Sequence, residues 1–558
     1  MPMTGAHIVW EALTREGVDT VFGYPGGNVL SLYDALQDFP GIHHVLSRHE
    51  QGACHMADGY ARASGRPGVV LATSGPGATN LVTGLATAMM DSVPLVAITG
   101  QVGRAVLGSD AFQEVDFMGV TLPITKHNYL VLSAEDIAPA MREAFAIARH
   151  GRPGPVVVDI TRDAQKATAE PDWERPLSGR HLRHVPPAPA AEAVAKALRL
   201  IGWAERPVIL AGHGVILAGA NQALRTLAER AAAPVATTLL GIGILPSSHP
   251  LNLGMLGLHG EAWVNQAIQE ADLIVALGMR FDDRATGAVE AFAPRAKKIH
   301  VETDACEINK NVAVDLPIHA DLAPVLERLL EQLEPQRHDA WLAHVQALRG
   351  QAKAEAILHA PGALSGPQVI HDLAEATAGS ALVVTDVGQH QMWAAQYYGH
   401  QRENSQITSG GLGTMGFALP AAIGAKLACP DREVWVVDGD GGFQMNVQEL
   451  MTLVQEGIKV NIAILNNGYL GLVRQLQEVY CEGRYQAVAM VNPDFVKLAE
   501  AFGLPGTRVD RRDQVLPAIR QAQEAPGPFL IEFQVDKELS VFPMVPAGAG
   551  LDQMLRRG

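Results

Sequence analysis

The 558 residues are too many for one hydrophobic core and predict about three domains of ordinary size. With 48% hydrophobic and 18% charged residues the chain is globular, which excludes an intrinsically disordered protein. A net charge of −16 excludes the basic face that nucleic acid requires, and no apolar run is long enough to span a membrane, because Gly, Pro, Thr or Asp interrupts each one.

Residues 1–166 read as a first α/β domain. Thr4 is placed to cap a helix running to about Glu16, and Thr20-Val21-Phe22-Gly23 reads as a strand ending in the turn Tyr24-Pro25-Gly26-Gly27. Val45 to Glu50 leads into a helix from about Gln51 to Ala63. Val69 to Thr73, Leu95 to Thr99 and Pro155 to Ile160 read as buried strands. Short apolar strands alternating with helices predict a parallel sheet. Residues 167–188, rich in Pro, Arg, His and acidic side chains, read as a linker. A central α/β domain follows over 189–345, with strands near Val208 to Ala211, Leu273 to Leu277 and Lys298 to Val301. A second linker, 346–363, leads into a third domain over 364–558, whose tail from Val541 to Gly548 is placed to cover a site. The predicted fold class is α/β, with three doubly wound parallel-sheet domains. Arg152-Pro153-Gly154-Pro155 and Ala525-Pro526-Gly527-Pro528 each precede an apolar strand, so two similar domains are expected to flank a different one. The four cysteines are scattered with no Cys-x-x-Cys pair, and the first residues carry no secretion signal. Both point to a reduced, cytoplasmic protein.

Chemistry concentrates between Val434 and Arg474. The apolar run Val434 to Val437 ends in Asp438-Gly439-Asp440-Gly441-Gly442; a helical pattern follows; a second run, Val460 to Leu465, ends in Asn466-Asn467-Gly468-Tyr469-Leu470-Gly471-Leu472. Neighbouring strands of a parallel sheet bring such turns together where ligands bind. Glycines let backbone N–H groups approach phosphate, and Asp440 and Asn467 offer hard oxygens to magnesium. Singly, each is an ordinary turn residue. Another strand, Leu382 to Thr385, ends in Asp386-Val387-Gly388-Gln389-His390-Gln391, a further place for a diphosphate contact. Gly411-Leu412-Gly413-Thr414-Met415-Gly416 fits the dinucleotide pattern Gly-x-Gly-x-x-Gly, but the residues before it make a poor strand. Glu50 alone reads as a carboxylate at a helix start.

Taken together, these motifs resemble thiamine diphosphate enzymes. Nearly the whole chain is similar to one family of them, the catalytic subunit of acetohydroxyacid synthase, also called acetolactate synthase. The resemblance is carried by Phe22 to Gly27, Arg48-His49-Glu50-Gln51-Gly52, Thr73 to Asn80, Asp110 to Asp116, Thr125-Lys126-His127, Gly254 to Gly260, Arg280-Phe281-Asp282-Asp283-Arg284 and Asp386 to Trp393. It implies a pyrimidine-binding first domain, a central FAD-binding-like domain and a diphosphate-binding third domain. It implies three cofactors: thiamine diphosphate, Mg²⁺ and an FAD without redox role. The implied reaction decarboxylates pyruvate and joins the remaining two-carbon unit to a second 2-oxoacid.

The resemblance also implies residue roles. Glu50 activates the aminopyrimidine; Gln113, Lys126 and the Gly27 backbone line the reacting centre with Phe112 beside it; Arg284 pairs with the acceptor carboxylate. Asp440, Asn467 and the Tyr469 backbone oxygen hold the metal. Gly388, Gln389, His390, Gly413, Met415, Gly439, Gly441, Gly442, Gly471 and Leu472 surround thiamine diphosphate. Gly212, Gly214, Arg280, Asp304 and Asp321 are the flavin candidates. The implied assembly is a homodimer or homotetramer with sites shared between subunits, open to a small regulatory subunit. Leu476 stands where the family has a tryptophan that favours 2-oxobutyrate, and Leu258 and Leu472 stand where it has methionines. Weaker preference for the longer acceptor is therefore expected. The competing readings are another thiamine diphosphate decarboxylase or carboligase, an NAD-dependent oxidoreductase using Gly411 to Gly416, and a non-catalytic flavoprotein.

Overall fold

The computed structural model describes residues 1–177, 186–350 and 357–556. Apolar runs such as Gly68–Ala72 and Val434–Gly439 are buried nearly throughout, because helices cover both faces of the sheets they enter. Three such sheets form, each of six strands and each parallel throughout. In the first, the spatial order is His43–Leu46, Thr20–Gly23, Gly68–Ala72, Leu95–Gln101, Pro155–Thr161, His127–Val131. In the third it is Gln406–Thr408, Leu382–Thr385, Val434–Gly439, Asn461–Asn466, Phe529–Gln534, Gly506–Val509.

Numbered along the chain, both outer sheets run 2-1-3-4-6-5. The central sheet runs 3-2-1-4-5-6, with Pro207–Ala211 and Leu273–Leu277 at its centre. Two like domains thus flank a different one. In each order there is a reversal beside the first strand, where the chain winds off in opposite directions, and a crevice opens there at the strands' carboxyl ends. Those ends carry Gly26-Gly27 and Thr73 to Gly77 in the first sheet, Gly212-His213-Gly214 and Gly278 to Arg280 in the second, and Asp386 to Gly388 and Gly439 to Gly442 in the third.

The same logic argues against a dinucleotide at the Gly411 to Gly416 pattern. A short strand, Gln406–Thr408, does precede it, and the helix Ala418–Ala428 follows. That strand is an edge strand, away from the reversal where a dinucleotide pyrophosphate binds. The stretch read as the first linker opens with Thr168–Ala169, paired antiparallel with Met3–Thr4; residues 178–185 of it lie outside the described residues. The helix Asp339–Gly350 runs into the second linker, whose residues 351–356 also lie outside them.

The first and third domains are joined by two helices packed backbone to backbone. Glu50–Ser64 is capped by the His49 side chain and ended by Gly65 in the left-handed region. It crosses Ala418–Ala428 so closely that a Cβ on Gly424 would overlap the Met56 carbonyl, and one on Gly59 the Ala421 carbonyl. Gly424→Ala is expected to destabilise the chain by about 1–3 kcal/mol, the range for forcing volume into a packed interior. Thermal unfolding of the variant measures this; an unchanged midpoint would mean the helices separate freely.

Candidate active site

At the reversal of the third sheet, strand ends from Leu382–Thr385, Val434–Gly439 and Asn461–Asn466 surround a narrow cavity of about 60 Å³. Gly388, Gln389, His390, Met415, Gly439, Asp440, Gly441, Gly442, Asn467, Tyr469, Gly471 and Leu472 line it. Its floor has no room for side chains. A Cβ on Gly442 would overlap an Asp386 oxygen, and one on Gly439 would lie 2.9 Å from His390 Nδ1. Asp440 Oδ2 accepts from Asn492 Nδ2 at 2.6 Å, and the same amide donates to Asn466 Oδ1 at 3.0 Å. Asn467 Oδ1 accepts from the Tyr469 N–H at 3.0 Å, and Asn467 Nδ2 donates to Gln389 Oε1 at 3.3 Å. The Leu470 and Met490 N–H groups bond to Val488 and Gly468 carbonyls, fixing the turn between them. Burial raises the Asp440 pKa above the usual carboxylate range. His390 Nε2 is buried without a partner, and burial lowers the ring's pKa to about 3, so the imidazole is neutral.

In the first domain Glu50 is the first residue of its helix, and its Oε2 accepts from Asn80 Nδ2 at 2.9 Å. Gly77 passes beside it: a Cβ there would sit 3.2 Å from Glu50 Oε1. Gln113 packs on the same turn, with its Cα 2.9 Å from a Cβ built on Gly75, and Phe112 beside it is 88% exposed. Asn28 Nδ2 donates to Ser74 Oγ at 2.6 Å, tying the Gly26-Gly27 turn to that loop. These groups share one carboxyl edge of the first sheet. Neither this narrow cavity nor the larger one at the central sheet is lined by Glu50, Gly27, Phe112 or Gln113.

Lys126 does not join them. It precedes the strand His127–Val131, whereas Glu50 and Gly27 follow strands, so a parallel sheet puts it at the opposite edge. Its Nζ donates to the Ile147 and His150 carbonyls, and burial together with Arg152 lowers its pKa to about 8.

The second cavity, about 1120 Å³, opens at the reversal of the central sheet and is also walled by the outer domains. Gly214, Arg280 and Asp321 line it, as do Gly413 and Arg284. Two flavin candidates are not among its lining residues. A Cβ on Gly212 would overlap the Gly278 carbonyl, so this glycine serves close strand packing. Asp304 bonds Arg152 at 3.2 Å and caps the turn at Cys306; Glu302 and Thr303 face the cavity in its place. Among the described residues the one ion-pair partner of Arg284 is Asp283, 3.7 Å away and exposed, so its guanidinium is available to a ligand. Leu258, Leu472 and Leu476 line the same cavity, and the tail reaches it through Met544 and Ala547. Gln475 clasps that tail, exchanging bonds with the Val541 N–H and carbonyl at 2.8 Å each.

Three domain models match in sequence: the N-terminal thiamine pyrophosphate-binding domain of thiamine pyrophosphate enzymes over residues 3–120, their central domain over 194–329 and their C-terminal thiamine pyrophosphate-binding domain over 386–533. The acetolactate synthase large subunit of Corynebacterium glutamicum is 47% identical across 98% of this chain and 89% of its own length. The chain belongs to the acetolactate synthase family. The large subunit of acetolactate synthase isozyme 2 from Escherichia coli is 45% identical over the full length of both chains. A chloroplastic acetolactate synthase of Nicotiana tabacum is 44% identical over all of this chain and 86% of its own.

For an acetolactate synthase-family chain, which carries thiamine diphosphate-binding domains, the narrow cavity has fitting chemistry. A carboxylate, an amide oxygen and a nearby backbone carbonyl form a hard oxygen set of the kind magnesium takes. The side-chain-free floor and the unpartnered His390 nitrogen suit a diphosphate. Asn492, which orients Asp440, escaped the sequence reading, because a lone asparagine before a proline signals only a turn. Glu449 escaped it too. It accepts the Arg48 N–H at 3.1 Å on both oxygens and lies where Gly52 has no side chain, anchoring the segment that enters the Glu50 helix. Among the described residues no helix is long and apolar enough to cross a membrane.

Proposed function

We propose that this chain is the catalytic subunit of an acetolactate synthase that works in the cytoplasm in branched-chain amino acid biosynthesis. It decarboxylates pyruvate and joins the remaining two-carbon unit to a second pyruvate, or less readily to 2-oxobutyrate. The strongest support is the narrow cavity, where Asp440, Asn467 and Tyr469 meet Gln389, His390 and a glycine floor in a chain aligned end to end with acetolactate synthases. Thiamine diphosphate, when bound, supplies the carbon nucleophile. Asp440, Asn467 and the Tyr469 carbonyl hold Mg²⁺, and the backbone of Gly441 and Gly442 with Gln389 and His390 holds the diphosphate. Met415, which lines the same cavity, would pack against the bound thiamine. Glu50, from a second copy, holds a proton at the pyrimidine nitrogen; Gly27, Gln113 and Phe112 accompany it. Arg284 orients the acceptor carboxylate, a use suited to its forked guanidinium. FAD occupies the large central cavity, which exceeds an ordinary ligand pocket in volume. A homodimer is the smallest complete unit; a tetramer and a small regulatory subunit are compatible with it.

Product analysis tests this reading. The protein is incubated with thiamine diphosphate, Mg²⁺, FAD and equimolar pyruvate and 2-oxobutyrate, and the products are quantified. Acetolactate as main product is expected; acetaldehyde alone would make the chain a decarboxylase, and no turnover would remove the synthase reading. Leu476→Trp is expected to raise the acetohydroxybutyrate to acetolactate ratio by about tenfold, the size of discrimination one apolar pocket wall supplies. An unchanged ratio would show that position 476 does not shape the acceptor pocket.

A further inference from the structure

The three domains meet at one buried residue, Asp91. Asp91 ends the helix Val82–Asp91 and is 2% exposed. Its Oδ1 accepts from the Gly411 N–H at 2.7 Å, and its Oδ2 from the Gly410 N–H at 3.0 Å and from Arg62 Nη2 at 2.8 Å. Arg62 also donates to Asp58 Oδ1 at 2.6 Å and to the Thr408 carbonyl at 3.0 Å. A first-domain ion pair thus grips the third-domain loop that begins at Thr408.

The same helix holds the loop's other end, where Thr87 Oγ1 and Thr414 Oγ1 lie 2.7 Å apart and buried. The next residue, Met415, lines the narrow cavity. Asp91 reaches the central domain as well. Its main-chain oxygen lies 2.9 Å from His213 Nδ1, and since a carbonyl only accepts, the imidazole donates. His213 opens a helix at the reversal of the central sheet and lines the large cavity. Gly411 has no room for a side chain between Asp91 Oδ1, at 2.9 Å from a built Cβ, and Arg280 Nη2, at 3.2 Å. A buried ion pair is a poor way to gain stability, since apolar replacements commonly do as well. Here its geometry fixes a loop.

We propose that Asp91 is a positioning residue that couples the large central cavity to the thiamine diphosphate site: a ligand packed against His213 and Arg280 fixes the end of the Val82–Asp91 helix, and with it the loop from Gly410 to Met415. The inference rests on the reading of that cavity as the FAD site. The effector is the flavin, the responding quantity is thiamine diphosphate affinity, and no redox step is involved.

The test titrates thiamine diphosphate with Mg²⁺ into the full-length chain, following intrinsic fluorescence, with and without saturating FAD. In the unmodified chain FAD is expected to tighten thiamine diphosphate by about tenfold, within the usual range of coupling between sites. Asp91→Asn is expected to weaken thiamine diphosphate binding and to reduce the FAD effect below about twofold. His213→Ala is expected to remove the FAD effect while leaving thiamine diphosphate affinity without FAD unchanged, because the hydrogen bond of His213 goes to the Asp91 main chain and not to the loop. If Asp91→Asn fails to fold, as judged by circular dichroism, His213→Ala decides alone. A full FAD effect in the folded variants, or FAD bound to the unmodified chain with no effect on thiamine diphosphate, overturns the role of Asp91. An unmodified chain that takes up no FAD overturns the flavin reading of the cavity, and the coupling with it.

Discussion

Glu50→Gln is expected to lower kcat by about 10²- to 10⁴-fold, the usual contribution of a positioned proton-transfer group. The substitution keeps the shape and the acceptor oxygen that Asn80 uses, so the helix Glu50–Ser64 and its packing should persist. Thiamine diphosphate affinity should change much less, because the groups assigned to metal and diphosphate lie in the third domain. Steady-state kinetics paired with a cofactor titration separates the two effects. If Glu50 were only a carboxylate at a helix start, the variant would lose about 0.3–1 kcal/mol of stability and keep its turnover. A kcat within a few-fold of the unmodified enzyme would remove Glu50 from the reaction.

What the sequence disclosed and what it hid divide along physical lines. Strands buried on both faces are near-continuous apolar runs, so Leu382 to Thr385, Val434 to Val437 and Val460 to Leu465 stood out. The turns after them carry local signatures, and the third-domain residues proposed from those turns do meet, apart from Gly413, which lines the larger cavity. The short Pro-Gly echo gave notice of the shared strand order of the outer domains, although order itself is a property of pairing over long separations. Lys126 lies apart from Glu50 in this chain, because a motif does not say which edge of a sheet it faces; it precedes its strand where Glu50 follows one. Asp91, Arg62, Glu449 and Asn492 were invisible for another reason. Each acts across a separation of tens to hundreds of residues, on backbone groups or amides that carry no pattern of their own.

Asp440→Ala is expected to weaken Mg²⁺-dependent thiamine diphosphate binding by at least about 100-fold, since even the outer partners of metal ligands are worth about 10- to 100-fold. By itself this variant, like Glu50→Gln, should be nearly inactive. Their combination is more informative. Glu50 does not line the cavity that holds Asp440 in its own chain, so in the proposed dimer the first domain of one copy completes the site on the third domain of another. When the two variants are co-expressed, random pairing makes half of the dimers mixed. Each mixed dimer has one site with both residues intact and one with neither, so about a quarter of unmodified activity is expected to return, as a two-fold symmetric pair requires. If Glu50 and Asp440 served the same site within one chain, every site in the mixture would lack one of them and nothing would return. A recovered quarter would therefore identify Glu50 and Asp440 as members of one site, and would make the dimer the smallest catalytic unit.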